Sequence, residues 1–200
     1  MLVIGLTGPS GAGKSEVSDI FASYGLPIIN ADRVYHELLS PPSSCLKELT
    51  EEFGGGILTP SGELDRPKLS ALVFSEPTAL SRLNAIAHRY VMEEIHRRLR
   101  LLRAKGTQAA VLDAPQLFEA GADRDCTTVV SVLAKKELRA ERIMARDKIT
   151  AENAMRRINA QRSDDYFRTH SDYVIENNAS VDHLRPAVKK ILSEMGVIEE

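Results

Sequence analysis

The sequence predicts an α/β fold: a five-stranded parallel sheet flanked by helices, with a helical insertion and a further helical pair added to it. Three observations carry this prediction. Short apolar runs alternate with segments of helical period along the chain. The runs are apolar throughout rather than at every second residue, the pattern of strands covered on both faces. A glycine-rich turn joins the first run to the first helical segment. Two hundred residues with 43% hydrophobic content suffice for one domain with an insertion.

Leu2–Thr7 reads as the first strand, and Glu16–Tyr24 as a helix because Val17, Ile20, Phe21 and Tyr24 recur at helical spacing. Leu26–Ile29 is the second strand, and a short helix is expected over Arg33–Leu39. A long insertion follows. Pro41-Pro42-Ser43-Ser44, Gly54-Gly55-Gly56 and Thr59-Pro60-Ser61-Gly62 mark turns in it, and Leu80, Leu83, Ala87, Tyr90, Val91, Ile95, Leu99 and Leu102 trace one face of a long helix. Ala109–Asp113 and Thr127–Leu133 are the third and fourth strands. Helices over Lys135–Asp147 and Ala151–Gln161 come next, the latter with Thr150 as N-cap, and Tyr173–Ile175 is the fifth strand. The expected organisation is one domain with a core of about 1–33, 105–134 and 163–200, a helical insertion of about 34–104 and a helical lid of about 135–162.

The chemistry starts at Gly8-Pro9-Ser10-Gly11-Ala12-Gly13-Lys14-Ser15, which matches G-x-x-x-x-G-K-[ST]. A chance match in a chain of this length has a probability of about one per cent. Its setting between strand and helix is the one that phosphate binding requires. Glycines let the backbone wrap an anion, and loop N–H groups with the positive end of the helix point at it. The nucleotide loop is therefore Gly8, Gly11, Ala12, Gly13, Lys14 and Ser15, with Lys14 on the β- and γ-phosphates and the Ser15 hydroxyl on Mg²⁺. The alternative is a glycine-rich turn with a solvated lysine.

Ligands in such a sheet gather at the carboxyl ends of the strands, where Asp32 and Asp113 stand. Asp113 can bind Mg²⁺ through water. Asp32 can take the proton of an attacking hydroxyl, or it can cap the helix Arg33–Leu39; the two roles are compatible. Arg142 and Arg146 lie one helical turn apart and can meet phosphate oxygens from one face of a lid, unless Glu137, Glu141 and Asp147 engage them in surface ion pairs.

Other classes find less support. With 26 Lys+Arg against 28 Asp+Glu, the formal charge of −2 gives no whole-molecule attraction for nucleic acid. Cys45 and Cys126 show no metal or redox spacing and read as reduced thiols, and His36, His88, His96, His170 and His183 show no ligand spacing either. No run is long enough to cross a bilayer and the start lacks signal-peptide character, so a cytoplasmic protein is expected, a monomer or weak homo-oligomer.

Beyond the loop, the chain resembles the dephospho-CoA kinase family over nearly its whole length. The matching residues are Ile29-Asn30-Ala31-Asp32, Phe53-Gly54, Gly62–Arg66 with Leu69 and Val73-Phe74, Leu83–His88, Asp113–Glu119, Arg142 through Asp147, and Asp172–Asn178. The resemblance implies a P-loop kinase core with a helical substrate-binding insertion and a helical lid. It implies ATP and Mg²⁺ as cofactors and transfer to the 3′-hydroxyl of dephospho-CoA. Gly11 to Glu16 would then be the core ATP loop, Asp32, Lys14 and Arg142 would be catalytic, and Asp32, Leu64, Arg66, Phe74, His88 and Pro115 would bind the acceptor. Departures from the family pattern are Asn30 in place of a first Asp, Arg89 in place of a Pro that follows the His, and Gln116 in place of Leu. Without that Pro the long helix is expected to run unbroken. Two other readings of the same loop are a kinase for another small acceptor, such as a nucleoside monophosphate or a sugar acid, and a nucleotide-dependent regulatory switch.

Overall fold

The computed structural model describes residues 1–179 and 183–199. Its elements are β1 (Leu2–Thr7), α1 (Lys14–Ser23), β2 (Ile28–Asn30), α2 (Ala31–Leu38), α3 (Ser44–Phe53), α4 (Arg66–Ser75), α5 (Ala79–Ala104), β3 (Ala109–Asp113), β4 (Thr128–Leu133), α6 (Lys136–Asp147), α7 (Ala151–Asn159), α8 (Asp164–His170), β5 (Tyr173–Glu176) and α9 (Leu184–Glu194). The five strands form one parallel sheet in the order β2-β3-β1-β4-β5. Leu2 of β1 faces Ala109 of β3, Ile4 faces Thr128 of β4, and Val130 faces Tyr173 of β5. Two compact units result, residues 1–29 with 102–200, and residues 30–101.

In the first unit the sheet is central because its strands are buried nearly end to end, as continuous apolar runs demand. Ile4, Leu6, Val111, Val130 and Val132 pack with Val17, Ile20 and Phe21 of α1 and with Leu184, Val188, Ile191 and Leu192 of α9. Phe21 is fully buried there. Its truncation to Ala would cost about 3–5 kcal/mol. A separate small cluster, Ile143 of α6 with Ala154 and Ile158 of α7, closes those two helices on each other. The Thr150 side chain caps α7 by accepting the Asn153 N–H at 3.3 Å.

The second unit builds its own core from Leu39, Cys45, Leu49, Ile57, Leu69, Val73, Ala79 and Leu83. Its helices start at side-chain caps: Ser43 accepts from Leu46 N at 2.9 Å and Asp65 from Lys68 N at 3.1 Å. Helix α5 runs unbroken through Arg89, whose guanidinium pairs with Glu48.

One expectation is corrected at the head of α2. The helix covers Ala31–Leu38, and its N-cap is Asn30, whose side chain accepts the Arg33 N–H at 2.9 Å. Asp32 therefore stands in the first turn and is not the cap of a helix starting at Arg33. An amide oxygen caps as well as a carboxylate, so the residue that departs from the family pattern keeps the helix start.

Candidate active site

The site begins where β1 ends. Gly8 has a φ of +149°, and a Cβ on it would lie 2.3 Å from the carbonyl oxygen of Val132. Gly13 has a φ of +91°, and a Cβ there would lie 2.0 Å from Asn177 Nδ2. Neither position accepts a side chain unless the loop moves. Gly13 is also the N-cap of α1 and supplies no capping side chain. The first-turn N–H groups, beginning at Lys14, Ser15 and Glu16, are thus left to an anion, with the positive end of the helix behind them. Within the loop, Ala12 N–H donates to Pro9 O at 3.1 Å.

Lys14 forms an ion pair with Asp113 at the end of β3, their side chains 14% and 4% exposed. The pair brings together the two charged groups that sequence reasoning placed separately on phosphate and on metal. Ser15 is exposed. Thr7 Oγ1 donates to Pro115 O at 3.2 Å, tying the segment after β3 to the end of β1. Among the described residues no three His, Cys, Asp or Glu side chains gather in a way that could hold a metal ion alone. A hydroxyl and a carboxylate beside a phosphate cradle suit Mg²⁺, which keeps several waters and takes few protein ligands.

The carbonyl side of the loop is held from α6 and β5. Arg142 donates through Nη1 to Gly11 O at 3.2 Å and Ala12 O at 3.4 Å, and through Nη2 to Asn177 O at 3.2 Å. Buried Asn177 donates through Nδ2 to Ala12 O at 2.9 Å. Arg146 is placed differently. It donates to both Asp147 oxygens at 2.7 and 2.9 Å, and Arg157 reaches the same carboxylate. Those bonds, Arg146 first and then Arg157, hold the Asp147 pKa down to about 2. Arg142 thus lies on the loop backbone and Arg146 in a surface ion pair, as the alternative for that face had it.

Asp32 is exposed at the start of α2. Its backbone carbonyl meets His36 Nδ1 at 2.7 Å, while its carboxylate has no hydrogen bond or ion pair among the described residues. In the same unit, Leu64 forms an isolated antiparallel bridge with Leu58 and packs on the local core. Arg66 opens α4, its Nη1 3.3 Å from His36 Nε2. Phe74 is 77% exposed and His88 is also exposed.

Arg139 and Gln161 are functional candidates that sequence reasoning left unassigned. Arg139 is 1% exposed and donates through Nε to Ser10 O at 3.0 Å. The available signal was its place one turn before Ile143, so that a charge sits on the buried stripe of α6.

Residues 2–183 match the family model described as dephospho-CoA kinase. A dephospho-CoA kinase of Corynebacterium efficiens is 41% identical over 197 residues, 98% of each chain. One of Arabidopsis thaliana is 37% identical over 98% of this chain and 84% of its own. Among solved structures, a dephospho-CoA kinase from Campylobacter jejuni superposes with a TM-score of 0.74 at 27% identity, covering 98% of both chains. A shikimate kinase from Acinetobacter baumannii, at 19% identity and a TM-score of 0.55 over 98% of this chain and 94% of its own, shares the fold.

Proposed function

The chain belongs to the dephospho-CoA kinase family, and from that premise we propose how its residues divide the work of moving the γ-phosphoryl group of ATP to the 3′-hydroxyl of dephospho-CoA. The observation that carries the assignment is the Lys14–Asp113 pair at the foot of a helix with no side-chain cap.

Gly8 through Glu16 bind the triphosphate through loop N–H groups and the first turn of α1. Lys14 exchanges Asp113 for phosphate oxygens and stabilises charge on the transferring group. Ser15 and Asp113 would hold Mg²⁺, which supplies charge neutralisation between the phosphates when bound. Arg142 supports the loop from its carbonyl side, and Arg146 reaches the nucleotide by exchanging Asp147 for phosphate oxygens. Asp32 accepts the proton of the ribose hydroxyl as its oxygen forms a bond to the γ-phosphorus. The bond from that phosphorus to the β–γ bridging oxygen breaks, and ADP leaves with the electron pair. The exposed carboxylate of Asp32, unpaired among the described residues, supports this role.

Leu64, Arg66, Phe74, His88 and Pro115 bind the acceptor in this reading. Phe74 supports it best, since an aromatic ring 77% exposed is available to an adenine or a pantetheine arm. The insertion of about 34–104 is the acceptor platform, about 135–162 the lid, and the remainder the core. The enzyme works in the cytoplasm as a monomer or weak homo-oligomer; no helix among the described residues is long and apolar enough to cross a membrane.

The deciding experiment measures acceptor-dependent ADP release from Mg·ATP with dephospho-CoA, AMP, shikimate and gluconate. Release with dephospho-CoA alone, with coenzyme A as product, is expected. Preference for another acceptor would overturn the assignment.

A further inference from the structure

Arg139 is the largest fully buried side chain among the described residues, and nothing in the transfer itself uses its charge. Its three nitrogens reach three separate parts of the first unit: Nε to Ser10 O at 3.0 Å, Nη2 to Gln161 Oε1 at 3.1 Å, and Nη1 to Asp164 Oδ1 at 3.1 Å. Gln161 Oε1 also accepts the Ser10 N–H at 3.1 Å. Ser10 is therefore held at both of its backbone polar groups, by two side chains that are bonded to each other.

The geometry has a consequence for the loop. In a trans peptide the carbonyl and the following N–H point to opposite sides. Pinning Ser10 O on Arg139 turns the Gly11 N–H away from the Arg139 guanidinium and leaves it to the loop's own concave side. Arg142 and Asn177 act in the same sense on Gly11 O and Ala12 O. Burial lowers the Arg139 pKa, opposed by Asp164, but an arginine remains charged. Apolar packing of the same volume would serve structure at least as well as a charge taken out of water.

The anchors also have a common location. Arg139 lies in the first turn of α6, Gln161 just past the end of α7, and Asp164 at the start of α8. These are the roots of the α6–α7 hairpin, which closes on its own small core. We propose that Arg139 and Gln161 are positioning residues: they set the entry peptides of the phosphate loop and couple its occupation by a nucleotide to the α6–α7 hairpin. The proposal rests on the kinase reading for its kinetic readout and on nucleotide binding alone for its second readout.

The test uses the full chain with Arg139→Met, Gln161→Leu, their double variant and Gln161→Glu. KM is measured for ATP and for dephospho-CoA, together with the rise in Tm that MgADP produces. Each apolar variant should raise the KM for ATP roughly tenfold or more and shrink the MgADP-induced rise, with the KM for dephospho-CoA within about twofold. The double variant should be no worse than the worse single, because both act through Ser10. Gln161→Glu keeps an acceptor for Ser10 N–H and a partner for Arg139, so it should restore the KM for ATP.

An unchanged KM for ATP in folded variants, multiplicative effects in the double variant, or failure of Gln161→Glu to restore would each overturn the coupling. Should Arg139→Met not fold, Gln161→Leu against Gln161→Glu decides alone. If the unsubstituted chain forms no coenzyme A yet is stabilised by MgADP, the acceptor assignment fails while the Tm arm still decides the coupling.

Discussion

Lys14 is held by Asp113 before any phosphate arrives, so the lysine has two roles that a single substitution confounds. Lys14→Ala removes the proposed transition-state contact and also takes the Lys14 cation from a carboxylate of 4% exposure. The expected outcome is a fall in kcat of roughly 10² or more together with a lower Tm. Lys14→Ala combined with Asp113→Asn should regain the stability and not the turnover, which steady-state kinetics and a melting curve on the same samples check. Legibility differs among these residues for a physical reason. The loop motif records Gly8, Gly13 and Lys14 as a local spacing because one continuous stretch of backbone has to wrap the phosphates. Arg139 and Asn177 act on the same loop from 129 and 165 residues away, through hydrogen bonds to Ser10 and Ala12, and no local pattern records such a contact.

At the scale of elements, α2 separates the capping residue from the proposed proton acceptor. Asn30 is the N-cap and Asp32 the first-turn residue, so Asn30→Ala should cost about 1 kcal/mol in urea unfolding. Asp32→Asn should lie within about 0.5 kcal/mol of the parent, losing only a carboxylate's interaction with the helix dipole. Equal costs for the two would return the cap to Asp32. Helix α5 offers a pH prediction. Glu94 on it is hydrogen-bonded first by Arg97 and also by Arg98, which brings its pKa down to about 2, and its side chain is 17% exposed. A depressed folded-state value means stability that is present above the unfolded pKa near 4.5 and is lost as pH falls toward about 2. Urea midpoints should drop across that window, and less steeply in Glu94→Gln; identical pH profiles would refute the contribution. The 26 residues of α5 were legible because one apolar stripe persists along them. Helices α3 and α4 were not. Their caps Ser43 and Asp65 sit among Pro and Gly turn signals, and on α4 the exposed Ala71 and Phe74 blur the apolar face that Leu69, Leu72 and Val73 form.

For the whole molecule, a net charge of −2 is no obstacle to polyanion chemistry, because the cations that matter are few and local. Lys14, Arg139 and Arg142 meet the loop itself, whereas Arg146, Arg156, Arg157 and Arg162 are engaged in surface ion pairs. The sheet order could be anticipated only as a class, since parallel strands pair across long crossovers that the chain's local pattern leaves open. The donor groups belong to the unit of residues 1–29 and 102–200, and Asp32 to residues 30–101. In the proposed reaction the Asp32 carboxylate takes the proton of the acceptor hydroxyl. Single-turnover phosphorylation of dephospho-CoA by Asp32→Asn tests this most directly, with MgADP binding and Tm measured on the same variant. Asn keeps the shape and cannot take the proton, so the rate should fall by roughly 10² or more while binding and stability hold. A rate within about threefold of the unsubstituted enzyme would contradict the account and remove Asp32 from the mechanism.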